Sequence, residues 1–440
     1  MNKKNLGNKL YLKAKKIIPG GVQLLSKKPE LFLPGHWPSY YIKAKGSVII
    51  GLDKKKYYDF TNCSVGMCPL GYSNDFVNKQ IIKTIKLGNI STLNSVKEYD
   101  CAKKMIKLHP WFDMARFTKS GGEAMSVAVR IARSYTKKEK ILFCGYHGWH
   151  DWYISANIGD KKNLNSHLLP GTSTLGVPSF LKNTSIPFEF NNTKDFIKKF
   201  NKDKKKLAAV ILEPTRANLP KNDFLKTITS FCKKNDVPLI YDEITVGWRV
   251  STGGFHKKLK YKPDLAVFSK ATSNGYALGA ILGKKKIMDK AQDSFISSAY
   301  WTENVGFQAA ISMMDYFIKK KVHKILIKKG KVIKKIWSTL AKKHNINISI
   351  TGLDPLPTFN FNYKNKDEIM TYFTQEMLKK NFLANGNCFI MISHTDKMIN
   401  LYKKNFDLIF FKINDILKSN SNFKKYLKGK VKSAKFRNPV

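Results

Sequence analysis

The chain has 440 residues, 43% of them hydrophobic and 12% aromatic, which is enough for a large folded core and too much for a disordered chain. Its net charge of +48, from 79 Lys+Arg against 31 Asp+Glu, invites a nucleic-acid reading, yet the only arginines are Arg116, Arg130, Arg133, Arg216, Arg249 and Arg437. Base readout and phosphate clamping lean on Arg, whereas here lysines are scattered along the whole chain among many Asn and Ile, as AT-rich codon usage would place them on solvated faces, so no specific nucleic-acid partner is expected.

The cysteines exclude less. Cys63, Cys68, Cys101, Cys144, Cys232 and Cys388 form no CxxC pair and lack the neighbouring His of a zinc site, so no metal is expected and reduced thiols in a cytoplasmic protein are. No apolar run reaches the roughly 18 residues of a membrane span. The start, Met1-Asn2-Lys3-Lys4, lacks a following apolar segment, so a secretory signal is not expected.

In chain order, residues 8–18 read as a short basic helix stopped by Pro19-Gly20-Gly21. Residues 47–50 and 57–60 flank a Lys-rich turn as a β-hairpin. Helical periodicity covers 74–87 and 96–108. Arg116-Phe117-Thr118 ends a strand, Ser120-Gly121-Gly122 turns, and 123–135 is a helix. Residues 141–144 form a strand running into Gly145-Tyr146-His147-Gly148. Residues 155–188, rich in Gly, Pro, Asn and Ser, read as a long loop. Helix 194–203, strand 207–212 and helix 223–234 lead to strand 237–241, and a further strand covers 264–269. Strands alternating with helices predict a mostly parallel sheet with ligands at the carboxyl ends of the strands. Residues 304–342 read as helical. Beyond about 345 a smaller α+β unit follows, with strands at 346–351 and 358–363 and a helix at 366–379, then a loosely held basic tail, Lys424–Val440.

Two strands end in reactive groups. The first runs into Asp242-Glu243 and the second into Lys270. A Lys that follows a β-branched run loses hydration, which disfavours its charge and suits an amine nucleophile. A carboxylate on a neighbouring strand is the usual partner of a pyridinium nitrogen where pyridoxal phosphate is the cofactor, with Glu243 bracing it from behind. Ser120-Gly121-Gly122, between a strand and a helix, has the free N–H groups of a phosphate site. Tyr146-His147-Gly148-Trp149-His150 offers rings at a strand end for stacking. Glu213, before Pro214, can face the cofactor's phenolic side or a substrate amine, and Thr302 is a hydroxyl for a phosphate. Each of these alone is an ordinary cap, turn or packed aromatic. Their order along the chain is the informative feature.

In that order the motifs resemble the class III, fold-type I pyridoxal-phosphate aminotransferases, and among them glutamate-1-semialdehyde 2,1-aminomutase and aminomutase-like transaminases. The stretches that carry the resemblance are PGGV at 19–22, SGGEA at 120–124, GYHGWHDWY at 145–153, LEP at 212–214, YDEITVGWR at 241–249, FSKATSNGYALGAI at 268–281 and YWTENVG at 300–306. The resemblance implies an α/β fold, with a large domain over 71–324 built on a mostly parallel seven-stranded sheet. It also implies a smaller α+β domain from 325–418 joined by part of an N-terminal arm at 1–70, with 419–440 left as the tail. It implies Lys270 as the Schiff-base lysine, Asp242 on the pyridine nitrogen, and Ile244 on the ring face opposite Tyr146. Tyr146 joins Lys270 and Asp242 as a catalytic candidate. Ser120, Gly121, Gly122, His147, Glu213 and Thr302 complete the cofactor set. The family is a homodimer in which Thr302 reaches the neighbouring site.

Two departures stand out. The aminomutase turn is typically Ser-Gly-Thr, and here Gly122 replaces the Thr. Aminomutases also carry an Arg shortly after the PGGV-type motif for the substrate carboxylate, and residues 23–28 (QLLSKK) contain none; a Lys offers a point charge without the bidentate fork. The expected activity is an aminomutase-like amino-group transfer. The alternatives are an intermolecular transaminase on another amino, keto or sugar-pathway substrate, and a racemase or epimerase with Tyr146 as the second acid/base. The non-enzyme alternative is a basic nucleic-acid-binding protein.

Overall fold

The computed structural model describes residues 6–167, 170–215 and 217–433. Arg216, Arg437 and the end of the basic tail lie outside them. The chain divides into two compact units, one made by the segment up to Asp75 together with the segment from Lys324 onward, the other by Phe76–His323.

The Phe76–His323 unit is built on a seven-stranded sheet. In chain order its strands are β1 (Met114–Thr118), β2 (Lys140–Cys144), β3 (Ser185–Pro187), β4 (Leu207–Leu212), β5 (Leu239–Asp242), β6 (Leu265–Phe268) and β7 (Gly279–Gly283). The spatial order is β1-β7-β6-β5-β4-β2-β3. All neighbours are parallel except around β7, which runs antiparallel to both β1 and β6. Leu207–Leu212 is buried at every position, as a strand covered on both faces must be. One face packs on helix Gly121–Thr136 through Ala124, Ala128 and Ile131; the other is filled by Phe188, Phe196, Phe200, Phe224 and Ile228.

Three local readings change. The loop expected over 155–188 carries short helical turns and the edge strand β3, whose terminal Pro187 suits an edge. β7, unassigned in the sequence, lies between β1 and β6, the strand that leads to Lys270. The helix expected over 304–342 breaks at Lys321, which adopts φ 48°, so Asn304–Lys320 and Val322–Lys343 are separate.

The other unit holds a four-stranded sheet, Tyr41–Lys45, Val48–Gly51, Lys56–Phe60 and Phe382–Ala384 in that spatial order. The hairpin pairs Val48 with Tyr58 as its pattern predicts. A second hairpin, Ile348–Thr351 with Thr358–Phe361, packs Phe359 against Phe373 and Phe406 on helices Lys366–Lys379 and Asp396–Lys418.

Candidate active site

β5 and β6 are adjacent and parallel, with Asp242 in register with Val267. The Asp242 carboxylate and the Lys270 amine therefore leave the same edge of the sheet, the carboxyl edge where parallel sheets bind ligands. β6 ends at Phe268, two residues before Lys270. Lys270 opens a tight turn over 270–273 and takes φ 45°, a left-handed conformation that costs a non-glycine residue energy. The turn is over-determined: Thr272 Oγ1 donates to Ser269 O at 2.8 Å and accepts from the Trp248 indole at 3.1 Å, and Ser269 Oγ donates to Leu278 O at 2.9 Å. Trp248 is itself fully buried at φ 66°.

Lys270 Nζ donates to Thr245 Oγ1 at 2.9 Å. Burial pushes the amine's pKa below the usual lysine value; the Asp242 and Glu213 carboxylates work against that and the Arg249 guanidinium adds to it. The amine is thus held toward its neutral, nucleophilic form.

Asp242 is 3% exposed. One oxygen, Oδ1, accepts the Ile244 N–H at 3.0 Å, and Oδ2 sits 2.8 Å from His147 Nδ1. The structure thus places His147 on the Asp242 carboxylate, with its other nitrogen, Nε2, buried and without a hydrogen-bond partner among the described residues. Glu243 points to a different place. It accepts the N–H groups of Phe255 and His256 at 2.7 and 2.8 Å, together with His256 Nδ1 at 2.8 Å, and so braces the turn behind β5.

Glu213, at the end of β4, accepts the Tyr146 N–H at 3.0 Å. Tyr146 is 38% exposed and its ring stands edge-on to the buried Tyr153. Burial, then Asp242 and Glu213, raise its phenol pKa, so the hydroxyl stays protonated.

Ser120 caps helix Gly121–Thr136. Its hydroxyl accepts the Glu123 N–H while Glu123 reaches back to the Ser120 N–H, a full capping box. The N–H groups of Gly121 and Gly122 belong to the first turn, which a helix cannot satisfy internally. A Cβ on Gly121 would lie 2.9 Å from Ile244 Cδ1, and one on Gly122 would lie 2.8 Å from His150 Cε1. Ile244 therefore packs directly on the glycine turn, which ties the β5 end to the phosphate-type loop. Gly122, the departure noted in the sequence, is the residue that admits the His150 ring, stacked on Trp149 at 4.5 Å.

Thr302 stands apart from this group. Its hydroxyl donates to Ala299 O within its own turn, at 2.9 Å. It lines a cavity of about 480 Å³ with Asn94, Tyr99, Arg116 and Trp301. Motif reasoning missed Thr245, Trp248 and Arg249 as individual contributors. All three lie within the YDEITVGWR stretch, but which of them reaches Lys270 depends on how the chain turns after β5.

The donor set fits pyridoxal phosphate. Backbone N–H groups stand in a glycine cradle that side chains would fill, a buried carboxylate is oriented by a histidine, and a desolvated amine stands on the neighbouring strand.

The comparisons with known proteins agree. The family model for class-III aminotransferases matches residues 34–398. A glutamate-1-semialdehyde 2,1-aminomutase of Nitrosopumilus maritimus is 35% identical over 71% of this chain and 73% of its own. Another from Wigglesworthia glossinidia brevipalpis is 30% identical over 98% of this chain and all of its own. A 3-aminobutyryl-CoA aminotransferase of Cloacimonas acidaminovorans is 28% identical over 88% and 92%. Among solved structures, the FumI protein of Sphingopyxis sp. MTA144 superposes with a TM-score of 0.85 at 24% identity, covering 96% of this chain and 99% of that one. The chain belongs to the class-III aminotransferase family, a family of enzymes that work with pyridoxal phosphate.

Proposed function

We propose that this chain transfers an amino group on a small amino or keto substrate, in the manner of the glutamate-1-semialdehyde 2,1-aminomutases it resembles. The observation that carries the reading is the pairing of β5 and β6, which sets the Asp242 carboxylate and the Lys270 amine on one sheet edge. Pyridoxal phosphate supplies an aldehyde that takes up amines and a ring that withdraws electrons from the substrate carbon. In this reading Gly121 and Gly122 N–H groups, with the Ser120 hydroxyl, hold its phosphate. Ile244 and Tyr146 bracket its ring. Glu213 faces its phenolic side. Asp242, oriented by His147, keeps the proton on the ring nitrogen. Lys270 Nζ, freed by the incoming amine, takes the proton from the substrate carbon and delivers it where the reaction requires.

A second reading, transfer between two separate substrates, is favoured by the missing arginine after PGGV at 19–22. A single turnover separates the two. An intramolecular reaction converts its substrate without releasing a keto product, whereas a transaminase given one equivalent of amino donor releases one equivalent of keto acid and stops until an acceptor is added.

The same reading includes a homodimer. Leu87, Leu93 and Val96 are 88%, 81% and 72% exposed, with Ile82, Ile85 and Ile90 also at the surface. An apolar stretch of that kind marks an interface. It adjoins the Thr302 cavity through Asn94 and Tyr99, which supports Thr302 serving a neighbouring subunit's site. The test of the whole proposal is the visible absorbance of the purified protein. Wild type incubated with pyridoxal phosphate is expected to keep a band near roughly 410–430 nm through gel filtration, and Lys270→Ala to lose it; a wild type that stays colourless refutes the reading.

A further inference from the structure

We propose that Thr245 is a positioning residue for Lys270: its hydroxyl is the docking point of the lysine's free amine, which it holds before cofactor capture and receives again whenever the lysine is released. This rests on the reading of Lys270 as the amine that captures the cofactor.

The geometry is direct. Lys270 Nζ donates to Thr245 Oγ1 at 2.9 Å, and it does so from a turn held at φ 45° by Ser269, Thr272 and Trp248. Thr245 is anchored in turn, because its carbonyl accepts Arg249 Nε at 3.2 Å and the preceding Ile244 N–H is fixed on Asp242 Oδ1. The Ile244–Thr245 pair therefore links the amine, the carboxylate and a buried guanidinium. The charged groups acting on the amine are Asp242 and Glu213 on one side of the balance and Arg249 on the other.

A hydroxyl suits this task better than a carboxylate would. It accepts one N–H without adding a negative charge that would favour the ammonium form. An acidic partner at the same distance would fix the ammonium form, which has no lone pair. Condensation of the amine with an aldehyde forms a C=N bond and expels the aldehyde oxygen as water, and it begins with that lone pair. After release, an amine docked at one point carries a proton along a defined path; an undocked lysine, with four methylenes, samples many.

The test uses cofactor-free enzyme and the rate at which it captures pyridoxal phosphate, followed by the rise of visible absorbance across pH. Thr245→Val, which keeps the shape and removes the hydroxyl, is expected to slow capture about tenfold, and Thr245→Ser to stay within about twofold of wild type. In the loaded enzyme Thr245→Val is expected to lower kcat with little change in KM, since the hydroxyl acts on the lysine. Thr245 is only half-buried, so Thr245→Ala, which opens no sealed cavity, serves should the valine variant fail to fold. Capture by the folded valine or alanine variant at the wild-type rate and with the wild-type pH profile overturns the proposal while leaving Lys270's role intact. Absence of capture by wild type overturns both.

Discussion

Asp242 and Lys270 leave the same edge of the sheet because β5 and β6 are parallel neighbours in register at Asp242 and Val267, three residues before the lysine. In the proposed reading each contributes one half of the chemistry, and each has a residue hydrogen-bonded to it: His147 on the carboxylate at 2.8 Å and Thr245 on the amine at 2.9 Å.

Removing the charge of Asp242 while keeping its shape isolates the first half. Asp242→Asn is expected to retain pyridoxal phosphate but to lose about two to three orders of magnitude in kcat, because a neutral amide does not hold a proton on the ring nitrogen. Because the Asp242 carboxylate raises the Lys270 pKa, the same variant is expected to move the alkaline midpoint of cofactor capture to lower pH. A pH series of capture rates on cofactor-free protein checks the sign.

The glycine turn has little spare room. In Gly122→Ala the new Cβ would meet His150 Cε1 at 2.8 Å, so the His150–Trp149 stack must move. Pyridoxal phosphate affinity is expected to fall about tenfold, close to 1.4 kcal/mol. The double variant Gly122→Ala/His150→Ala is expected to recover most of that loss if the cause is steric. Equilibrium titration of the cofactor by fluorescence measures both.

Covering the apolar stretch 82–96 is expected to require a second copy of the chain. Leu93→Asp places a charge on a side chain that is 81% exposed, so the subunit itself should fold normally, while a desolvated charge should break the dimer. Analytical ultracentrifugation is expected to show monomers, and activity should fall with the dimer fraction.

Acid is expected to destabilise the unit that contains His394. This side chain is buried, accepts the Met391 N–H at Nδ1 and donates to Asp59 O from Nε2. Desolvation lowers its pKa from 6.5 to about 4. The unfolded chain therefore binds the extra proton across that window, and stability is lost as pH falls from 6.5 to about 4. The cost is about 3 kcal/mol for this group. His109, in the other unit, shifts the same way, to about 3. Thermal midpoints between pH 7 and 4.5 are expected to fall less steeply in His394→Gln than in wild type.

Much of the site was readable from local chemistry. A strand, a Ser-Gly-Gly turn and a helix make an anion cradle wherever they occur, because free N–H groups and small side chains are properties of the backbone. The ends of β5 and β6 were legible as Asp and Lys because a continuous apolar run that stops at an ionisable group marks where a buried strand emerges. The strand β7 was not legible. Gly279–Gly283 is short and glycine-bounded, and it runs antiparallel, so only pairing with β1 and β6 defines it. β3 likewise is a three-residue edge strand, defined by its pairing with β2.

The sequence alone determined the family, through the order of its motifs, and singled out Lys270, Asp242 and the Ser120-Gly121-Gly122 turn as candidates for the amine, the carboxylate and the phosphate site, since each candidate is a residue type next to a definable backbone break. Tertiary structure decided the second layer. His147 lies 95 residues from Asp242 yet sits on its carboxylate. Glu243 turns away to His256. Thr245, 25 residues before Lys270 in the chain, docks its amine. Hydrogen bonds of a few ångströms between distant segments depend on strand register and on left-handed turns such as those at Trp248 and Lys270, and no periodicity in the chain encodes either.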